Sequence, residues 1–242
     1  LMKLIKKLIQ KIFFNFGYRI TKIKNKKFKE FDDIYKKILN DNSIIIDVGA
    51  NKGQSIERFL KFQNPVIYSF EPSSESFKIL KGKFQNKNNC YLYNIALGAE
   101  KSESLFFEYN NDELNSFNMI NNSDEKKKGE IKVSINTLDN FAEHNNLQRI
   151  NLLKIDTQGY EENVLLGSTK LLKENKIDII EVELILGNYY DKYTSFYNIE
   201  KILKNGSYRL IALDRRPNVF ENNKLYFDAI YITKELYKKH II

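Results

Sequence analysis

Apolar positions along the chain follow two rhythms. Leu1, Leu4, Ile5, Leu8, Ile9, Ile12, Phe13 and Phe16 recur at i, i+3, i+4 spacing with Lys3, Lys6, Lys7 and Lys11 between them. That spacing predicts an amphipathic helix ending near Gly17, followed by a basic connector, "TKIKNKKFKEF". From residue 43 onward, short apolar runs, turn residues and helical stretches succeed one another. Strands are predicted at 44–47, 66–70, 91–95, 150–155, 179–186, 208–213 and 225–232, and helices at 55–62, 74–84, 138–144, 161–172 and 196–204. "SLFFEY" and "IKVSI" add a further strand pair between the third and fourth of these strands. The polar, aperiodic "NNDELNSFNMINNSDEKKKGE" between them reads as a mobile excursion.

Apolar strands alternating with helices imply an α/β fold, a mostly parallel sheet covered on both faces. The final two strands read as an antiparallel hairpin at its edge. Ligands of such sheets bind at the carboxyl ends of the strands, where the strand order reverses. With 242 residues, 42% of them apolar, the chain suits one well-buried domain, residues 31–242, behind an extension, residues 1–30.

Charge changes this picture only at one end. The net charge is +8, but residues 1–30 carry ten Lys/Arg against Glu30 alone, leaving 29 Lys/Arg and 30 Asp/Glu in the remainder. The body is neutral, so no nucleic-acid partner is expected. The helix of residues 1–20 has a cationic and an apolar face, which suits peripheral contact with an anionic membrane surface. It would equally pack on the body or on a second copy of the chain, giving a homo-oligomer. Its lysines deny the unbroken apolar centre of a secretory signal, and no apolar run reaches the roughly 18 residues of a membrane span. Cys90 is the only thiol, so no internal disulfide forms, and a cytoplasmic setting, at most peripheral at the inner membrane face, is expected.

Candidate chemistry begins at "IIIDVGANKGQS" (44–55). Gly49, Asn51 and Gly53 are the residue types that let a strand-to-helix turn bend sharply under a ligand. Asp47, two residues earlier, would repel the pyrophosphate of NAD but attract the sulfonium and ammonium of S-adenosylmethionine. Glu71 ends the second strand 24 residues later, in "FEPSSESF", where an acid accepts both hydroxyls of a ribose. In "NIALG", Asn94 is placed to hydrogen-bond an adenine edge, or simply to hold a turn, with Ala96 beside it. Asp156 tips the fourth strand in "LLKIDTQGYEENVLLG", with Glu161 reading as a dipole-complementing helix residue. Glu181 and Glu183 share one face of "IIEVELIL", either as buried functional acids or at an edge facing water.

These segments resemble the FkbM-type methyltransferases, a class I S-adenosylmethionine family. The likeness rests on "DVGANKGQS", "FEPSSESF", "NIALG", "TLDNF", "LLKIDTQGYE", "EVELILGNYY" and "LYFDAIYIT", in the expected order over residues 43–233. It implies a Rossmann-like seven-stranded sheet with an antiparallel last strand. It also implies methyl transfer to a hydroxyl, often of a sugar or a polyketide-like product, so a small molecule or glycan is the expected partner. Asp47, Gly49, Asn51, Gly53 and Glu71 carry over as cofactor residues. Asn140 stands in "TLDN" where the family often has a second acid, and the N-terminal helix lies outside the resemblance.

A hydroxyl that attacks a sulfonium methyl must lose its proton. His144 lies on a polar helix and His240 in the tail, so Asp156 and Glu183 are the catalytic candidates, with Glu181 nearby and Lys154 one step back. Asp156 would act as direct base, as co-ligand of a divalent cation, or only by orienting the cofactor's methionine end. A metal is compatible with this set but not expected to be obligatory. Two other readings remain at this point. One is an NAD-dependent sugar oxidoreductase or epimerase, disfavoured by Asp47 and by the lack of a suitably placed Tyr-x-x-x-Lys pair. The other is a membrane-surface adaptor with a vestigial methyltransferase fold, which leaves Asp47, Glu71 and Asp156 unexplained.

Overall fold

The computed structural model describes residues 29–121, 125–186, 189–192, 194–215 and 225–240. The predicted N-terminal helix, most of the connector and the link between the last two strands lie outside the described residues.

The first strand, β1 (Ile44–Val48), shows why this chain builds a two-sided core. Successive side chains of a strand point to opposite faces, so consecutive isoleucines need cover on both. Ile46 packs on one face with β7 (Ile150–Ile155), α4 (Leu138–His144) and α5 (Glu161–Leu166). Ile45 packs on the other with α1 (Lys29–Ile38), α2 (Gln54–Phe59) and α3 (Ser74–Phe84). Ile45 and Ile46 are both fully buried, and each such side chain stabilises the fold by roughly 1.5–3 kcal/mol.

Parallel partners flank β1 on each side: β2 (Val66–Phe70), which continues to β3 (Cys90–Tyr93), and β7, which continues to β8 (Ile177–Leu186). Strand order therefore reverses between β1 and β7. Beyond β8, the hairpin strands β9 (Tyr208–Arg215) and β10 (Leu225–Thr233) complete a seven-stranded sheet in the order β3-β2-β1-β7-β8-β10-β9. The expected antiparallel strand is β10, which sits between β8 and β9 and leaves β9 at the edge. Further helices are α6 (Thr169–Lys173) before β8, α7 (Phe196–Asn205) before β9, and α8 (Lys234–His240) after β10.

Several boundaries differ from the sequence reading, each for a local reason. Helix α1 begins inside the stretch read as connector, and Phe31, Tyr35 and Leu39 anchor it to the core. The single helix expected at 161–172 is two, α5 and α6, broken at Gly167. A Cβ on Gly167 would lie 1.9 Å from the Gly98 carbonyl oxygen, so the break lets a neighbouring loop pass. The third strand also divides: β3 stays in the main sheet, while β4 (Ala96–Leu97) joins the extra pair, β5 (Ser102–Tyr109) and β6 (Lys127–Asn136). These form a second sheet in the order β4-β6-β5.

The segment expected to be a mobile excursion is built into the fold through residue 121. Asp112–Leu114 forms a 3-10 turn, Ser116 bridges back to Phe107, and Ile120 bridges to Tyr190. Ser116 and Asn118 are buried, their side chains donating to the Gln158 and Gly159 carbonyls at 2.7 and 2.9 Å. Polar side chains turned inward onto irregular backbone leave no hydrophobic period to read.

Candidate functional site

A cavity of about 480 Å³ opens at the carboxyl ends of β1, β2, β7 and β8, where the strand order reverses. Its floor is the turn after β1. Gly49 and Gly53 take φ of 83° and 91°, and Asn51 takes 44°, all in the left-handed region. At Gly49 a Cβ would stand 1.9 Å from the Asp156 carbonyl oxygen, so only glycine lets β1 and β7 close up beneath the cavity. Gly53 serves the packing of helices instead. A Cβ there would meet the Phe84 ring at 2.2 Å, so it seats α2 against α3 and does not line the cavity.

Glu71 reaches the cavity from the end of β2. Its carboxylate accepts the Asn51 N–H on Oε2 and the Ser73 N–H on Oε1, both at 2.8 Å. A carboxylate oxygen has a second acceptor direction, so both remain able to receive ligand hydroxyls. Burial raises the Glu71 pKa to about 7, against the lowering effect of those two N–H groups. Asn94 is exposed and lies outside the cavity lining. Its amide donates to the Glu71 and Pro72 carbonyls at 2.8 and 3.1 Å, holding the turn that aims Glu71. Ala96 and Leu97 line the cavity beside Phe106, Phe117 and Tyr160. Phe117 packs on the rings of Phe106 and Tyr160, at 5.0 and 4.4 Å between centroids, forming an apolar wall supplied partly by the excursion.

The opposite wall is lined by Lys154, Asp156, Glu181 and Glu183, with Asp47 and Asp228 buried outside the lining. Asp47 and Lys154 are paired in register on β1 and β7, Lys154 and Glu181 on β7 and β8, and Glu183 and Asp228 on β8 and β10. Neither Glu181 nor Glu183 faces water at an edge; each is 1% exposed. Lys154 donates to Asp156 Oδ2 at 3.0 Å. Burial acts to lower its pKa, but the charges of Asp156, Asp47 and Glu181 outweigh that and hold the ammonium charged. Asp47 is fully buried, and no hydrogen bond reaches either of its carboxylate oxygens among the described residues. Burial lifts its pKa to about 6, with Lys154 opposing and Asp156 and Glu181 adding to the rise. An unpartnered buried carboxylate beside further carboxylates is a site prepared for positive charge.

Three residues that were not candidates in the sequence hold these acids, Arg58 and Gln158 from the cavity lining and Tyr35 from outside it. Arg58 of α2 lines the cavity and donates to Glu181 Oε1 and Asp32 Oδ1, each at 3.0 Å. Tyr35 of α1 donates to Glu181 Oε2. Gln158 donates from Nε2 to Asp156 Oδ1 at 2.9 Å and to Glu183 Oε2. Arg58 reads in sequence as a solvent-facing helix residue. Gln158 carried one signal, a long side chain immediately before the glycine of a tight turn. Glu161, fully buried, accepts the Thr157 and Gly159 N–H groups at 3.0 Å and so shapes that turn. Among the described residues no three His, Cys, Asp or Glu side chains are arranged to hold a metal ion. No helix among them is long and apolar enough to cross a membrane.

The methyltransferase FkbM domain matches residues 47–210 of this chain. Methyltransferase 1 of Beauveria bassiana (strain ARSEF 2860) is 28% identical over 146 residues, covering 52% of this chain and 59% of that protein. The 2-O-methyltransferase NoeI of Sinorhizobium fredii (strain NBRC 101917 / NGR234) is 22% identical over 146 residues, covering 55% and 60%. The chain thus spans about three-fifths of the length of these relatives. Among solved structures, an rRNA methylase from Streptococcus thermophilus overlays with a TM-score of 0.49 at 10% identity, over 88% of this chain and 99% of its own.

Proposed function

This chain belongs to the FkbM methyltransferase family, whose domain spans residues 47–210, and on that premise we propose that it transfers a methyl group from S-adenosylmethionine to a hydroxyl of a sugar or glycan precursor. The observation that carries the reading is Asp47, a fully buried carboxylate with no hydrogen-bond partner among the described residues, set beneath a glycine turn and beside Asp156. A dinucleotide would bring phosphate charge onto this spot. S-adenosylmethionine brings positive charge to it.

The chemistry of the residues in and behind the cavity supports that donor. Glu71 would take the ribose hydroxyls, Ala96, Leu97 and Phe117 the adenine, and Asp47 and Asp156 the cationic methionine end. When bound, the donor supplies an electrophilic methyl on a positively charged sulfur. Asp156 or Glu183 would then accept the proton that the attacking hydroxyl must give up, as general base. A hydroxyl acceptor is supported by the family and by the name of one relative, a 2-O-methyltransferase. The sugar is the family's expected substrate class.

Isothermal titration tests the cofactor assignment. The protein should bind S-adenosylmethionine or its demethylated product at micromolar concentration and NAD far more weakly. Glu71→Ala should weaken binding at least tenfold, since a hydrogen bond to a charged group contributes about 1.5–3 kcal/mol. Equal affinity in wild type and variant would overturn the assignment. Assaying methyl transfer with and without a chelator then separates a direct carboxylate base from a metal-assisted one.

A further inference from the structure

Gln158 sits where its side chain has no evident reason to be. Its φ is 56°, in the region where glycine or asparagine is the unstrained choice, yet the residue carries a long side chain and is 9% exposed. That amide lies between two carboxylates on neighbouring strands. Ile155 and Val182 are paired in register, so Asp156 and Glu183 follow side by side at the carboxyl ends of β7 and β8. Two such groups repel unless a donor stands between them. One Nε2 hydrogen goes to Asp156 Oδ1 and the other to Glu183 Oε2.

The amide also has a fixed sense. Its Oε1 lies 3.1 Å from the hydroxyl of buried Tyr190, whose one proton it shares with the Leu114 carbonyl at 3.3 Å. A flipped amide would turn its carbonyl oxygen toward both carboxylates. The backbone is held as well, because Ser116 Oγ donates to the Gln158 carbonyl at 2.7 Å. Of the natural side chains of this length and shape, glutamate offers no donor when ionised and methionine none at any pH.

Resting on the methyl-transfer reading above, we propose that Gln158 is the positioning residue of the site. Oriented by Tyr190, it holds Asp156 and Glu183 adjacent, so that one attracts the donor's positive charge while the other receives the acceptor's proton. Gln158 acts through the two carboxylates. Charged or titratable groups around it include Lys154 and Asp47 near Asp156, Asp228 opposite Glu183, Tyr190, and Glu161 in the same turn.

The test is titration of S-adenosylmethionine into the full wild-type chain, Gln158→Glu, Gln158→Met, Tyr190→Phe and the Gln158→Met/Tyr190→Phe double variant, at pH 6 and pH 8.5, with thermal melts confirming folding. Gln158→Glu donates only while protonated, so its deficit relative to wild type should grow at least tenfold from pH 6 to pH 8.5. The deficit of Gln158→Met should change less over that interval, because no further titrating group is added. Tyr190→Phe should weaken binding severalfold in wild type and add nothing in the Gln158→Met background. Near-wild-type affinity in Gln158→Met, or additive effects in the double variant, would reduce Gln158 to a space-filling residue and overturn the proposal. If Gln158→Glu does not fold, the Tyr190→Phe cycle decides alone. Wild type that fails to bind S-adenosylmethionine would overturn the cofactor assignment, and this proposal with it; wild type that binds while the variants show no coupling would overturn this proposal only.

Discussion

Ile45, Leu152, Ile179 and Ile232 stand side by side across β1, β7, β8 and β10, all fully buried. Two residues further along, on the same face, the row is Asp47, Lys154, Glu181, Ile230, and the row after it begins Asp156, Glu183, Asp228. The strands, the pleat and the burial are shared; only the chemistry changes. The first row releases apolar surface from water and stabilises the fold. The next two take charge out of water, which opposes folding unless each group is paired. On this face the parallel strands β1, β7 and β8 thus bury apolar side chains in their amino-terminal halves and hold charge toward their carboxyl ends, and antiparallel β10 supplies Ile232 and Asp228 in the reverse order.

The comparison breaks most sharply at Lys154. Lys154→Met removes the central cation and leaves its carboxylates facing one another, a loss of about 3–5 kcal/mol. Ile179→Ala, one row down, should cost about 2–5 kcal/mol through its cavity. Urea denaturation separates the two: the Lys154→Met deficit should shrink from pH 8 to pH 5 as carboxylates take up protons, and the Ile179→Ala deficit should not. Equal pH behaviour would mean that the polar rows carry no electrostatic cost.

Asp47 sharpens the same point with a smaller effect. Its pKa is raised from 3.8 to about 6, so between these values the folded protein binds more protons than the unfolded chain. Its contribution to stability is complete below pH 4 and is lost as pH rises through 6, by roughly 3 kcal/mol for a two-unit gap. Asp47→Asn should flatten that part of the stability profile of the ligand-free protein, and at the same time weaken S-adenosylmethionine binding at least tenfold at pH 8. A variant with the wild-type slope would show that the charge is not what burial opposes.

The smallest expected effect lies at Asn94. Asn94→Ala loses two hydrogen bonds that hold the turn, worth about 1 kcal/mol of stability in an exposed position. Donor affinity should change by no more than about threefold. A tenfold loss by titration would restore the adenine-contact reading of this residue.

What the sequence revealed and what it hid follow the same division. The turn after β1 was legible because an apolar run ending in Asp47 and two glycines has few physical explanations. Asp156 and Glu183 stood out because charges are rare inside buried strands. Helix α1 was legible in principle, since Phe31, Ile34, Tyr35 and Ile38 keep a helical period, but lysines on its amino-terminal side disguised it. Arg58 was not legible: its role depends on Glu181, 123 residues away in sequence. Nor was Gln158, whose meaning comes from two strands and a tyrosine that meet only in the folded chain. The excursion failed for a different reason, because irregular backbone that buries Ser116 and Asn118 has no period to detect.

The position of β10 bears on how the protein is made. This strand follows every other strand in chain order, yet it lies inside the sheet, between β8 and β9. Until it has been synthesised, β8 presents an open flank along Ile177–Leu186, and β9 has no neighbour to pair with. Strands β1, β2 and β7 already have their partners by then. The β8–β10 pairing, which includes Glu183, is therefore assembled last, and during that interval the edge of β8 is exposed to other nascent chains. Aggregation during synthesis, rather than instability of the finished fold, is the vulnerability that this topology builds in.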